Sequence, residues 1–349
     1  MYHRNTIKII LLLVVVFTGG CRRYYRYTQV HDPTLGRVAY LRTSRTVRRM
    51  SISAGGKWIL VQLSPSGHEG NHFSYLIDSA TMKRRWHRKD VIDSGFDPTG
   101  KRFFALSSDG RVMVYDLDSL SRLASYKVGT KFLRFAFLDS SRLVYSTLRE
   151  LIVMDAIRGE MKATYRLPEQ PEWVENINVS ANGLWAVLSF SAKGNMDRKV
   201  ALIELREGGK SCLLDHVSAP ELSASGRFFA VQRKGGAVGT GETRSCRFNE
   251  KQPDMSYVSF LYNGEDLIIS DRDNLYHYNL AASKPISTEP LPISATNMSV
   301  DNKSKTMVLL GQQSRPIGGL LQNSYWFGPG QVHVVWKHRW PRLGDGHGD

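Results

Sequence analysis

A short apolar strand, a turn built on a small or charged residue and a second apolar strand recur along this chain at nearly constant spacing. The first copies read Ser51-Ile52-Ser53 then Gly56-Lys57-Trp58-Ile59-Leu60, and Gly95-Phe96-Asp97 then Gly100-Lys101-Arg102-Phe103-Phe104. Later copies include Ile177-Asn178-Val179 then Gly183-Leu184-Trp185, and Glu221-Leu222-Ser223 then Gly226-Arg227-Phe228. The turn positions 56, 100, 141, 183, 226, 264 and 304 are separated by 44, 41, 42, 43, 38 and 40 residues. One unit of this size cannot bury both faces of its own sheet, so successive units must stack on one another.

Long helices are nowhere indicated, and four short strands per unit of this period specify a β-propeller. The expected fold is all-β: a seven-bladed propeller of four-stranded antiparallel blades. The second unit displays all four strands, Asp93 to Asp97, Arg102 to Ser107, Arg111 to Asp116 and Arg122 to Val128, with Ser108-Asp109-Gly110 as the tight middle turn. Its segment SSDGRVMVYDLDSLSRLASYKVG resembles the WD40 and YVTN-like propeller families, Tyr115-Asp116 standing where WD40 repeats carry tryptophan-aspartate. No repeat has the full WD40 set, so the resemblance implies a fold rather than a subfamily.

The last unit lacks room for a regular fourth strand. Arg37-Val38-Ala39-Tyr40-Leu41-Arg42 resembles the outer strands Arg122 to Lys127 and Lys162 to Arg166, and is expected to supply the missing strand and close the ring.

The connections between second and third strands emerge on one face. They are tight in units two, three and six but enlarged at Ser64 to His72, Ser191 to Arg198, Lys234 to Thr243 and Gln312 to Gly330. Loops on a rigid scaffold commonly carry recognition. The longest holds Arg315 with Tyr325, Trp326 and Phe327, residue types that dominate binding hot spots, and these are the expected partner-binding residues together with His68 and His72. The alternative for Trp326 is that it folds back over its own blade. The stretch Ser66-Gly67-His68-Glu69-Gly70-Asn71-His72 contains the letters of the H-E-x-x-H zinc motif, which needs a helix to bring both imidazoles to the metal. Pro65, Gly67 and Gly70 oppose a helix, so a hairpin loop without metal is expected.

The N-terminus carries Arg4 and Lys8, then the apolar run Ile9 to Phe17, then Thr18-Gly19-Gly20-Cys21. This reads as a secretory signal peptide, the run being too short to cross a bilayer. The small residues before Cys21 resemble the lipobox of bacterial lipoproteins, with Thr18 in place of the usual aliphatic residue. The resemblance implies acylation of Cys21. The expected organisation is a signal peptide over 1–20, a lipid-anchored linker over 21–34, the propeller over 35–345 and a flexible tail over 346–349. Localisation follows as the bacterial cell envelope, on the exported side of a membrane. Arg22, in place of the aspartate associated with inner-membrane retention, leans toward the outer membrane.

An exported chain permits a disulfide between Cys212 and Cys246. Their contexts look like equivalent positions of successive repeats, however, and the expectation is that they stay apart.

The formal charge is +15, compatible with anionic lipid or glycan; nucleic acid is not the expected partner. Lys83, Arg84, Arg85, Arg88 and Lys89 form the densest basic run, on the outer strand of the first blade. Arg42, Arg45, Arg48 and Arg49 are expected to gather in the same sector and face an anionic membrane. No nucleophile elbow, Walker loop or cysteine-histidine metal spacing is present, and neither catalytic residues nor a cofactor are expected. The favoured function is a non-catalytic envelope scaffold that binds a protein through the enlarged-loop face. The alternative is an enzyme or a binder of small ligands or anionic glycans at the mouth of the central channel, which requires polar groups converging on the axis.

Overall fold

The structure is a computed structural model and describes residues 26–32, 36–43, 46–64, 72–128, 134–192, 198–233, 236–252, 259–263, 266–271, 274–278, 287–291, 295–301, 306–312 and 331–339. Six four-stranded antiparallel sheets follow one another along the chain, each strand pairing with the next in sequence. Blade one comprises Thr46–Ile52, Trp58–Ser64, Phe73–Asp78 and Lys83–Lys89. Blade two comprises Val91–Phe96, Arg102–Ser107, Arg111–Asp116 and Arg122–Lys127, and blade three Phe135–Phe137, Arg142–Ser146, Glu150–Asp155 and Met161–Arg166. Blade four is built from Pro171–Val179, Trp185–Ala192, Arg198–Glu204 and Ser211–Asp215. Blade five follows with Val217–Leu222, Phe228–Arg233, Val238–Glu242 and Arg247–Gln252, and blade six with Ser259–Asn263, Asp266–Ser270, Asn274–Tyr278 and Ser287–Pro290.

The middle strands of a blade are sandwiched between neighbouring sheets, which explains why Trp58 to Leu63 and Trp185 to Ala192 are buried along their whole length. The core is therefore a series of layers between blades. Trp58, Leu60 and Leu76 meet Phe103, Met113 and Tyr115, and Val187 and Leu202 meet Phe229 and Val231. Each such side chain, fully buried, contributes about 1.5–3 kcal/mol. Outer strands have water on one side, and Lys83–Lys89 is exposed at every position except Trp86. The repeated turn glycine also has a packing role. Gly100 adopts φ +70°, and a Cβ there would strike the carbonyl oxygen of Ala54 in blade one.

The expectation of seven four-stranded blades is corrected to six. The seventh repeat lies in a five-stranded sheet of order Arg26–Asp32, Gly36–Thr43, Gln331–Arg339, Thr306–Gln312, Ala295–Asp301. Gly36–Thr43 pairs with Gln331–Arg339, Ala39 opposite Val335, and Arg26–Asp32 adds outside it as a fifth strand. That last strand falls within the segment read as a linker.

Two further expectations are overturned. Cys212 and Cys246 form a disulfide, with Cα atoms 6.2 Å apart. Cys212 lies on the outer strand of blade four and packs against the layer shared with blade five, while Cys246 lies in the turn leading into the outer strand of blade five. They are thus not equivalent positions, and the bond spans the rim between neighbours. The connection in blade five is also short rather than enlarged, because Val238–Glu242 is a strand. Its glycines read as loop, yet a Cβ at Gly239 would strike the Phe248 ring, and one at Gly241 the Arg247 backbone. Close packing requires them.

Candidate functional site

Each inner strand runs toward the turn that joins it to the second strand, which gives the propeller a turn end and, opposite it, a loop end where second and third strands connect. Lys83, Arg84, Arg85, Arg88 and Lys89 stand on the rim of blade one. Arg84 and Lys89 lie over the rings of Tyr75 and Phe73 at 5.5 and 6.0 Å, and Arg88 donates to the Tyr115 hydroxyl at 3.2 Å. Cys21, His68, Arg315, Tyr325, Trp326 and Phe327 lie outside the described residues. His72 is half-buried at the start of the third strand of blade one, its carbonyl accepting from Asp90 N at 2.8 Å. Among the described residues, no group of three or more His, Cys, Asp or Glu side chains could hold a metal ion.

Arg48 and Arg49 do not join the rim patch, since Thr46–Ile52 is the innermost strand of blade one. They reach across the axis. The inner strands of blades one, two and four each carry a β-bulge, at Arg48, Ile92 and Glu175, and a bulge leaves a backbone group without its ladder partner. Arg48 supplies partners: Nη1 donates to Ile92 O at 3.2 Å and Nη2 to Glu175 O at 2.9 Å. Arg134 of blade three donates to the same Glu175 carbonyl at 2.7 Å. Asp93, 2% exposed, accepts from Ser94 N at 2.9 Å and from Phe135 N at 2.8 Å, tying blade two to blade three. Burial raises the Asp93 carboxyl above the usual range, against the pull of Arg49 and Arg48, and burial lowers the Arg48 guanidinium. Hydrogen bonds thus lace the inner strands of four blades together toward the loop end.

Closer to the turn end, the inner strands enclose a cavity of about 310 Å³. Arg49 Nη2 donates to Asn178 Oδ1 at 3.3 Å, and Asn178 Nδ2 donates to Pro220 O at 2.7 Å and to Glu221 Oε1 at 3.1 Å. One carboxamide therefore stands between a cation and a carboxylate, which form no direct ion pair. Burial raises Glu221 to about 7 even though Arg49 and Asn178 both favour its charged form. Ser51, Gly95 and Ala136 occupy the corresponding positions of blades one to three, and these small residues leave the space open.

None of Asp93, Arg134, Glu175, Asn178 and Glu221 was expected as a site residue. A signal does exist in the repeat frame. Ser51, Gly95, Ala136, Asn178 and Glu221 all stand five residues before their turn positions 56, 100, 141, 183 and 226, and Arg49, Asp93 and Arg134 stand seven before. Polar residues there, on strands whose partners are apolar, mark the axis-facing side.

At the loop end, Trp173 is 48% exposed. It pairs with Ser191, which in turn pairs with Arg198, so it lies at the foot of the blade-four connection, which is shorter than the expected Ser191 to Arg198 because both those residues belong to strands. Lys199, next to Arg198 in the chain, is held by Glu169 at 2.6 Å and Asp215 at 3.3 Å, and these two partners raise its pKa.

No family model matches this chain, and no curated protein matches it. Among solved structures it is similar to hydrazine synthase of Kuenenia stuttgartiensis, with a TM-score of 0.56 and 14% identity, covering 75% of this chain and 92% of that one. It is also similar to the β-propeller domain of Cps50 (Swd1) from Myceliophteria thermophila, with a TM-score of 0.54 and 12% identity over 84% of this chain and 97% of that chain. At such identities the likeness shows the fold alone: an all-β propeller with four-stranded antiparallel blades.

Proposed function

We propose that this chain is a non-catalytic, lipid-anchored scaffold of the cell envelope that binds a protein partner through its loop end. The observation that carries the reading is Trp173, a half-exposed tryptophan on a strand at the loop end, the kind of anchor that dominates protein interfaces. Arg315, Tyr325, Trp326 and Phe327 on the longest connection at that end, and His68 and His72 on the connection of blade one, extend the same surface. The five-stranded sheet serves as a seventh blade and closes the ring. In support, its inner strand packs beside those of blades one and six, and Ile52 N donates to Ser299 Oγ at 3.0 Å. The Cys212–Cys246 bond supports an oxidising, exported setting, in keeping with cleavage before Cys21 and acylation there. Lys83, Arg84, Arg85, Arg88 and Lys89 then face anionic lipid or glycan, each cation near a membrane adding about 1 kcal/mol of attraction.

The test is crosslinked affinity capture of the membrane-extracted protein. Wild type is compared with Trp173→Ala and with a variant whose Gln312 to Gly330 segment is cut to a tight turn. A specific protein captured by wild type and lost in either variant supports the scaffold; equal recovery from all three removes the loop end from the interaction.

A further inference from the structure

The cavity at the turn end belongs to neither the partner-binding surface nor the basic rim, and its groups are arranged for a small molecule. We infer that it binds a free amino acid with an apolar side chain. Its volume of about 310 Å³ is at the lower limit of ligand pockets and suits a molecule of that size.

The polar side of the cavity fixes the two ends of such a ligand. Arg49 has one hydrogen bond among the described residues, from Nη2 to Asn178, so the rest of its donor fork is free to receive a carboxylate. Glu221 spends Oε1 on Asn178, and its other oxygen has no hydrogen-bond partner among the described residues. That oxygen is an acceptor for an ammonium. Asn178 bonds both residues at once and is pinned by the Pro220 carbonyl, so it sets the spacing between them without neutralising either. Were the pair merely structural, direct contact between guanidinium and carboxylate would satisfy both charges. The lining also includes the apolar residues Ile52, Phe96, Phe137 and Ile177, and this part of the cavity takes the side chain. Ala54 and Pro98, two residues beyond the ends of two inner strands, place the mouth at the turn end. Ligand entry therefore does not compete with a protein at the loop end.

The experiment is isothermal titration calorimetry of the full-length purified protein with leucine, leucinamide and 4-methylpentanoate. Leucinamide lacks the carboxylate and 4-methylpentanoate lacks the ammonium. The expected result is saturable leucine binding, with each analogue at least tenfold weaker. Arg49→Gln should abolish the preference over leucinamide, and Glu221→Gln the preference over 4-methylpentanoate. Ser51→Phe, which fills the cavity while keeping Arg49, Asn178 and Glu221, should abolish binding of all three. Retention of the β-sheet circular dichroism spectrum and of the disulfide identifies variants that have folded. If a variant fails to fold, the ranking of the three ligands on wild type still decides. Equal affinity for all three, or no heat of binding for leucine at millimolar concentration, overturns the inference.

Discussion

Blade one carries an arginine pair at each of its edges, Arg48-Arg49 on the inner strand and Arg84-Arg85 on the outer strand, and the two pairs lead different lives. At the axis, Arg48 is hydrogen-bonded to carbonyls of blades two and four, and Arg49 to Asn178 of blade four. At the rim, Arg84 and Arg85 are exposed. Exposed charges act on one another through water and salt, whereas those at the axis act through a low dielectric and fixed geometry. The residue type thus says little about what a charge does until its distance from the axis is known.

Stability measurements can break this comparison. Arg48→Ala leaves the bulge carbonyls of Ile92 and Glu175 without that partner and removes one of the two cations near Asp93, and should cost about 3–5 kcal/mol in urea unfolding. A cost below about 1 kcal/mol would mean that the axial bonds are incidental. Next comes Cys212→Ser, which opens a covalent loop of sequence separation 34. The chain-entropy relation gives about 3–4 kcal/mol for such a loop, so the rim should depend on one covalent link where the axis depends on hydrogen bonds. Thermal unfolding with and without reductant checks it: reduction should lower the midpoint of wild type and leave the variant unchanged.

Glu221→Gln sharpens the axial side. Its carboxyl is at about 7 in the folded protein against an ordinary 4.5, so the folded state holds the proton more tightly. Wild-type stability contributed by this group therefore falls as pH rises from 4.5 to about 7 and remains low above that. The variant should gain about 1–3 kcal/mol on wild type at pH 8 and nothing at pH 4, measured as the difference in unfolding free energy. The smallest effect on stability belongs to the rim. Replacing Lys83, Arg84 and Arg85 together by alanine should change unfolding by less than about 0.5 kcal/mol. If this rim faces anionic lipid, binding to phosphatidylserine vesicles should weaken about fivefold per charge removed, an effect that high salt erases.

Much of the fold was legible because its signal is periodic. Arg102–Ser107 and Arg111–Asp116 lie where alternation placed them, and Gly36–Thr43 takes the fourth position, beside Gln331–Arg339, that its likeness to other outer strands suggested, although Arg26–Asp32 lies outside it. What the sequence hid was what depends on contacts between blades. Val238–Glu242 looks like a loop because its glycines accommodate Phe248 and Arg247, which become neighbours only in the folded sheet. Cys212 and Cys246 looked too far apart because equivalence in the repeat was judged without knowing which side of a strand faces the next blade. Arg48 and Arg49 were grouped with the rim by charge, although their places eight and seven residues before Gly56 put them on an inner strand. The axial cavity was missed for the same reason, since Asn178 and Glu221 are unremarkable until five inner strands converge.

The two ends of the propeller offer the most direct test of the scaffold reading. Trp173 at the loop end and Leu184 at the turn end are exposed to 48% and 50%, so a photo-crosslinking amino acid at either position samples solvent equally. Irradiation in cells should yield a discrete adduct with a protein from position 173 and none from position 184. Adducts of equal yield from both positions, or an adduct from 184 alone, would contradict the account.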